Sequence, residues 1–168
     1  SRHGVERFGK LLASEAHQRR FPAARRKAFV ADGSDSNWGV WRRHFSDYEP
    51  ILDFIHALTY VYSAAMAGQV AKAGWQAYRE WAQWVWSGQV ERVIAALELR
   101  QQELGEPTKE TSKTAPAAIV ATSLGYLRNQ RSRMQYPEYR KQGLPITSTY
   151  VESTVKQINR RMKGTAKF

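Results

Sequence analysis

The stretch "KAFVADGSDSNWGVWRRHFSDYEPILDF", residues 27 to 54, decides the fold of this 168-residue chain. It begins with a short apolar run, "KAFVADG" (27–33), which ends in Asp-Gly, a pattern typical of a buried strand running into a loop. "SDSNWGVWRRHF" (34–45) predicts a capped helix with aromatic residues three and four positions apart. "PILDF" (50–54) is a second candidate strand. A strand, a helix and a strand in such close succession predict the parallel crossover unit of α/β folds.

Most of the remaining chain is predicted to be helical, because apolar residues recur three and four positions apart. The predicted helices cover residues 4–20, 55–67, 70–86, 89–104, 116–131 and 148–163. Two stretches with Pro and Gly are predicted loops, "GEPTKETSKTAP" (105–116) and "YPEYRKQGLPI" (136–146). The expected fold class is therefore α/β with a predominance of helix, with short parallel strands near residues 27–32 and 50–53.

The helix predicted over residues 70–86 is rich in aromatic residues. Trp75, Tyr78, Trp81 and Val85 follow one helical stripe. Aromatic rings can stack on nucleic-acid bases, but an apolar stripe at helical spacing is more often a face of the core. We expect this stripe to pack in the core.

The composition indicates a basic protein without disulfides. The chain carries a formal net charge of +11 and contains no Cys. Such a charge attracts polyanions, including nucleic acid, although solvated cationic faces are also common. The longest nearly apolar stretch, residues 58–68, is shorter than the roughly 20 residues that span a bilayer, and the first residues lack the apolar core of a signal peptide. We expect a soluble protein of a reducing compartment.

Two carboxylates are distinguished by their positions. Asp32 follows the first predicted strand, and ligands of open α/β sheets gather at the carboxyl ends of strands. Glu152 is the only acid after Leu144, and it lies in the last predicted helix. If this helix packs against the sheet, the two carboxylates can share a divalent cation, as in metal-dependent phosphoryl transfer. The ordinary alternatives are a turn residue in Asp-Gly and a first-turn helix acid.

The predicted helix around Glu152 is strongly cationic. Lys156, Asn159 and Lys163 follow Glu152 along one stripe, and Arg160 lies next to them. These side chains are candidates for holding the phosphates of a nucleic acid. A carboxylate in so positive a setting stays ionised and ready to bind metal.

Three sequence blocks together resemble a known family. They are "VADGSDSNW" (30–38), "FSDYEPILDFIHA" (45–57) and "LPITSTYVESTVKQINRRMKGTAKF" (144–168). In this order they resemble the catalytic region of DDE transposases of bacterial insertion sequences, especially the Kra group related to mutator-like enzymes. The resemblance covers the chain from about residue 28 to its end.

The resemblance implies a ribonuclease H-like fold in which Asp32 is the second acid of the catalytic triad and Glu152 the third. Residues 1–54 and 144–168 would form the core portion, and residues 55–143 an α-helical insertion, within a single compact unit. The implied activity is cleavage of DNA phosphodiester bonds and strand transfer.

The same resemblance implies cofactors, partners and a location. The cofactor would be Mg²⁺ or Mn²⁺, the partner DNA, and the location the bacterial cytoplasm at the nucleoid. Transposases act as assemblies, so a homo-oligomer is also expected. His56 matches the His of the family's second block and would support the site, whereas a satisfied histidine near the start of a buried helix is the ordinary alternative.

The chain departs from the family pattern at both ends. The family's first acid should lie upstream of the first helix, yet residues 1–31 contain no Asp. Thr147, Ser148 and Thr149 stand where the family often has Gly-Ser-Gly, and the chain stops at "KGTAKF" where family members usually continue. We therefore expect a fragment of a longer transposase that is inactive alone.

Two hypotheses from other classes remain open. The chain could be a non-enzymatic basic helical module that binds DNA or RNA through the charged phosphate backbone of the nucleic acid. Alternatively, the helical body could serve mainly in contacts between proteins.

Overall fold

The computed structural model of the protein describes residues 2–149. This part of the chain is mainly helical and contains a sheet of two strands. The elements in chain order are α1 (Arg2–Gln18), a 3₁₀ turn (Phe21–Ala23), β1 (Ala28–Ala31), α2 (Asp35–His44), β2 (Glu49–Leu52), α3 (Phe54–Met66), α4 (Ala71–Trp86), α5 (Val90–Leu104), α6 (Pro116–Gln130), a second 3₁₀ turn (Arg131–Arg133) and α7 (Tyr136–Lys141). The predicted class, α/β with a predominance of helix, is confirmed at this coarse level.

The predicted crossover unit is confirmed. Strands β1 and β2 are parallel, with Ala28 opposite Glu49 and Ala31 opposite Leu52, and α2 connects them. Helix α2 begins after Ser34, whose hydroxyl accepts a hydrogen bond from the backbone N–H of Asn37 at 3.4 Å. Because the strands are parallel and in register, the residues that follow them lie at the same edge of the sheet.

Helix α1 packs on the outer side of the crossover unit. Its inward side carries Val5, Leu12 and Ala16, which pack in a small cluster with Val40 and Phe45 of the α2 segment. Phe29 and Trp41 pack against both this cluster and the larger core described next.

The main core joins the sheet to the helical body. Ile51 and Leu52 of β2 are completely buried, and so is Leu97 in the middle of α5. Both regions belong to one continuous hydrophobic cluster, which extends through α3, α4, α5, α6 and α7. The helices after β2 therefore share their core with the sheet.

The prediction of a loop over residues 136–146 is wrong in its first half, because α7 occupies Tyr136–Lys141. Pro137 stands in the first turn of α7, where a missing N–H costs nothing. Tyr136 and Tyr139 are buried on one side of this short helix, and the Tyr136 hydroxyl donates to the Leu52 carbonyl at 3.1 Å. Burial of the two aromatic rings stabilises a helix in a stretch where Pro and Gly had led to the prediction of a loop.

The aromatic stripe of α4 lies only partly in the core. Trp81 and Val85 are buried as predicted, but Trp75 is 51% exposed. Trp75 lies at the first turns of α4, where its ring contacts Tyr62 and Tyr78 edge-on, with ring centroids 5.8 and 5.5 Å apart respectively. The prediction of a core position is therefore wrong for Trp75.

None of the helices between residues 2 and 149 combines the length and apolar character needed to cross a bilayer. The helix predicted over residues 148–163 lies outside the described residues except for its first two positions.

Candidate functional site

Asp32 lies directly after β1, at the carboxyl end of the sheet, and its side chain is exposed. One carboxylate oxygen accepts hydrogen bonds from the Ser34 backbone N–H at 3.0 Å and the Asn37 amide at 2.9 Å. The other oxygen has no hydrogen-bond donor in the described part of the chain. Partial burial raises the pKa of Asp32, but these hydrogen bonds outweigh it, so the pKa lies below its ordinary value. Asp32 is thus an oriented carboxylate whose ionised form is favoured and whose second oxygen accepts no hydrogen bond from residues 2–149.

The turn after Asp32 is fixed from the opposite side by α6. The Tyr126 hydroxyl donates to the Asp32 carbonyl at 2.8 Å. Gly33 has a positive φ of 88°, and a Cβ there would lie 2.8 Å from the Tyr126 hydroxyl oxygen. Only glycine meets both requirements without strain. The backbone that presents the Asp32 carboxylate is therefore held in one conformation.

Asp53 follows β2 at the same edge of the sheet, but its carboxylate is buried. One oxygen caps α3 by accepting from the His56 backbone N–H at 3.0 Å. The other accepts from the Ser148 backbone N–H at 2.6 Å and the Ser148 hydroxyl at 2.7 Å. Burial raises the pKa of Asp53, and the bonds from Ser148 and the start of α3 more than reverse this, so the pKa is lowered.

Asp53 therefore connects a distant part of the chain to the sheet edge. Next to it, the Phe54 backbone N–H donates to the Ile146 carbonyl at 2.8 Å. Together these bonds hold residues 146–148 against the start of α3. Both oxygens of Asp53 are occupied, so its observed role is structural.

A small cavity of about 130 Å³ lies where these parts meet. Asp32 and Asp53 line it from the two strand ends, and Ser148 and Thr149 line it from the later segment. His56 and Thr59 of α3 form another side. The structure thus brings Asp32 together with the residues that lead to Glu152 in the sequence.

His56 stands between this cavity and a larger groove, and it lines both. Its ring lies edge-on near Tyr60, with centroids 5.7 Å apart, and 6.1 Å from the ring of Tyr126. Electrostatic interaction with His56 is the smallest of the contributions that lower the pKa of Asp32. His56 is placed where it could support the site.

Five of the predicted site residues lie outside the described residues. They are Glu152, Lys156, Asn159, Arg160 and Lys163. Within residues 2–149 no three His, Asp or Glu side chains are grouped so that they could hold a metal ion. In this part of the chain Asp32 is the predicted metal ligand that can be described.

Asp53 was not predicted as a site residue, although the sequence contains a signal for it. The parallel crossover unit places both strand ends at one edge, so the rule that selected Asp32 applies equally to the acid that follows β2. What the sequence could not supply is the partner of Asp53, because Ser148 lies 95 positions away in the chain.

The chain has no match among protein-family models, curated proteins or solved structures.

Proposed function

We propose that the chain is part of the catalytic region of a DDE transposase of a bacterial insertion sequence, with a ribonuclease H-like core. The reaction of the full-length protein would be metal-dependent cleavage of DNA phosphodiester bonds, followed by transfer of a 3′-hydroxyl into target DNA. Asp32 and Glu152 are the proposed metal ligands. Residues 1–31 contain no Asp that would match the first acid of the family's triad.

One observation carries this proposal. Asp32, at the end of a parallel strand, lines the same cavity as Ser148 and Thr149. An Asp that served only to form the turn after a strand would not require the segment of Ser148 and Thr149 beside it. The meeting of these two segments is what a site shared by Asp32 and Glu152 requires.

Chain connectivity supports the participation of Glu152. Glu152 follows Thr149 by three positions, with two residues between them. Three residues span at most about 11 Å when fully extended, and about 4.5 Å along a helix axis. The covalent chain therefore keeps the Cα of Glu152 within about 11 Å of that of Thr149 in any conformation, a distance compatible with a site shared with Asp32.

The available donor supports Mg²⁺ or Mn²⁺ as the cation. Asp32 keeps one carboxylate oxygen free of hydrogen bonds from the described residues, and Mg²⁺ prefers hard oxygen ligands. Such an ion, when bound, neutralises charge on the phosphodiester and activates a water or a 3′-hydroxyl. Asp53 is not assigned to the ion because its oxygens already accept hydrogen bonds.

A Mn²⁺ titration followed by electron paramagnetic resonance tests the site without requiring activity. We expect Asp32→Ala and Glu152→Ala each to weaken Mn²⁺ binding about tenfold or more, since each removes one of few anionic ligands. Asp47→Ala is the control, because Asp47 is an exposed acid that pairs with Lys27. The proposal fails if Asp32→Ala binds Mn²⁺ as tightly as the Asp47→Ala control.

The second candidate function is a non-enzymatic module that binds DNA or RNA. The net charge of +11 favours it, and it needs no metal. Salt-dependent nucleic-acid binding that is the same in EDTA and in Mg²⁺, together with unchanged Mn²⁺ binding in Asp32→Ala, would support the module over the transposase site.

A further inference from the structure

A polar groove of about 630 Å³ begins at Asp32 and runs between α2 and the end of α6. One face of α2 forms its first wall, with Asp35, Trp38 and Arg42 spaced three and four positions apart. The opposite wall includes Gln130 and Arg133. From Asp35 to Arg42 the helix rises about 10 Å, so along this wall an acid lies at one end and Arg42 at the other.

Arg133 is held in place by buried neighbours. Its guanidinium lies over the ring of Trp38, 4.4 Å from the centroid, and donates to the Gln130 side-chain oxygen at 2.9 Å. The same oxygen accepts from the Trp38 indole N–H at 3.0 Å. The Gln130 amide in turn donates to the Gly33 carbonyl at 3.0 Å. A single network therefore links Arg133 to the turn that presents Asp32.

Neither Arg42 nor Arg133 has a carboxylate partner in the described part of the chain. Their charges repel, and burial together with the charge of Arg42 lowers the pKa of Arg133. By contrast Arg43, the next residue on α2, pairs with Glu6 at 3.3 Å. Two guanidinium groups without carboxylate partners on one groove are suited to bind anions, because each planar fork can bind a phosphate through two hydrogen bonds.

We propose that Arg42 and Arg133 bind backbone phosphates of a nucleic-acid strand that lies in this groove and leads to Asp32. The groove is longer than one phosphate group. Each strand of duplex DNA carries a phosphate about every 3.4 Å of helix axis, so a strand along the groove brings several phosphates past the arginines. The role of Asp32 at the groove's end rests on the proposed function, whereas phosphate binding by the arginines does not.

The test is binding of a fluorescent single-stranded oligonucleotide, measured by anisotropy in EDTA at several salt concentrations. We expect Arg42→Ala and Arg133→Ala each to weaken binding about tenfold and to reduce the salt slope by about one. Arg43→Ala is the matched control, since it removes the same charge from the same helix at an arginine that is paired with Glu6. Its affinity should stay within about twofold of the wild-type value.

Two further variants make the outcome clear. Arg133→Lys keeps the charge but loses the planar fork, so it should bind the oligonucleotide more weakly than the wild type. This variant also provides a result if Arg133→Ala disturbs the packing of Trp38. Asp32→Ala should bind at least as tightly as the wild type in EDTA, because it removes a negative charge from the groove.

The proposal is overturned if Arg42→Ala and Arg133→Ala bind no more weakly than Arg43→Ala. This result would leave the metal site untouched, because Mn²⁺ binding depends on Asp32 and not on the arginines. The opposite combination is normal Mn²⁺ binding in Asp32→Ala with weak oligonucleotide binding in Arg42→Ala. It would contradict the proposed metal site and still support strand binding by the groove. Inorganic phosphate that displaces the strand at equal phosphate concentration would also contradict a strand-binding groove.

Discussion

At the scale of single residues, the two acids at the sheet edge perform different tasks. Asp53 is buried and accepts three hydrogen bonds at 3.0 Å or less. Asp32 is exposed, and within residues 2–149 only one of its two carboxylate oxygens accepts hydrogen bonds. We expect Asp53→Ala to lower the free energy of unfolding by about 2–4 kcal/mol, because it uncaps α3 and leaves partly buried donors of His56 and Ser148 unpaired. Asp32→Ala should cost less than about 1 kcal/mol. Urea denaturation of both variants measures the difference, and equal losses would contradict it.

The lowered pKa of Asp53 predicts how this contribution depends on pH. A carboxylate whose folded pKa lies below its unfolded value stabilises the fold above the unfolded pKa, and this stabilisation is lost as pH falls through the folded pKa. The ordinary value for Asp is 3.8. The stability gap between the wild type and Asp53→Ala should therefore be full at pH 7 and should narrow below about pH 4. A gap that stays constant from pH 7 to pH 2.5 would show that ionisation of Asp53 is not involved.

At the scale of elements, α7 joins the helical body to the sheet through one hydroxyl. Tyr136 and Tyr139 are both buried on α7, but only the Tyr136 hydroxyl has a hydrogen-bond partner among the described residues, the Leu52 carbonyl. We expect Tyr136→Phe to cost about 1 kcal/mol and Tyr139→Phe to be neutral or slightly stabilising. The matched substitutions on one helix are compared by thermal unfolding. Equal effects of the two would exclude the Leu52 bond as a source of stability.

The elements differ in how far the sequence predicts them. The crossover unit was predictable because its apolar runs, the Ser34 cap and the Asp-Gly turn all lie within one short stretch. The α7 helix was not, because its stability comes from contacts of Tyr136 with β2 that are remote in sequence. The site shows the same limit. Asp32 follows from its place after a strand, whereas the link between Asp53 and Ser148 and the pairing of Arg133 with Trp38 depend on the tertiary fold.

At the scale of the whole molecule, the core bears on the predicted division of the chain into two portions. One portion is residues 1–54 together with 144–168, and the other is residues 55–143. Leu97, in the middle of the helical portion, is completely buried in the same cluster as Ile51 of the sheet. Two portions that share one core should open together, because neither buries its apolar surface without the other. Within the described residues we therefore expect one cooperative unit.

Leu97→Ala tests this expectation. The substitution leaves a cavity in the shared core and should lower the free energy of unfolding by about 2–5 kcal/mol. Leu99→Ala, on the exposed side of the same helix at 61% exposure, should change the free energy of unfolding by less than about 0.5 kcal/mol.

Native-state hydrogen exchange provides the measurement. If the unit is single, Leu97→Ala lowers the protection of amides in β1 and β2 as much as in α5. If the sheet amides keep their wild-type protection while those of α5 lose theirs, the helical portion unfolds independently and the division is real.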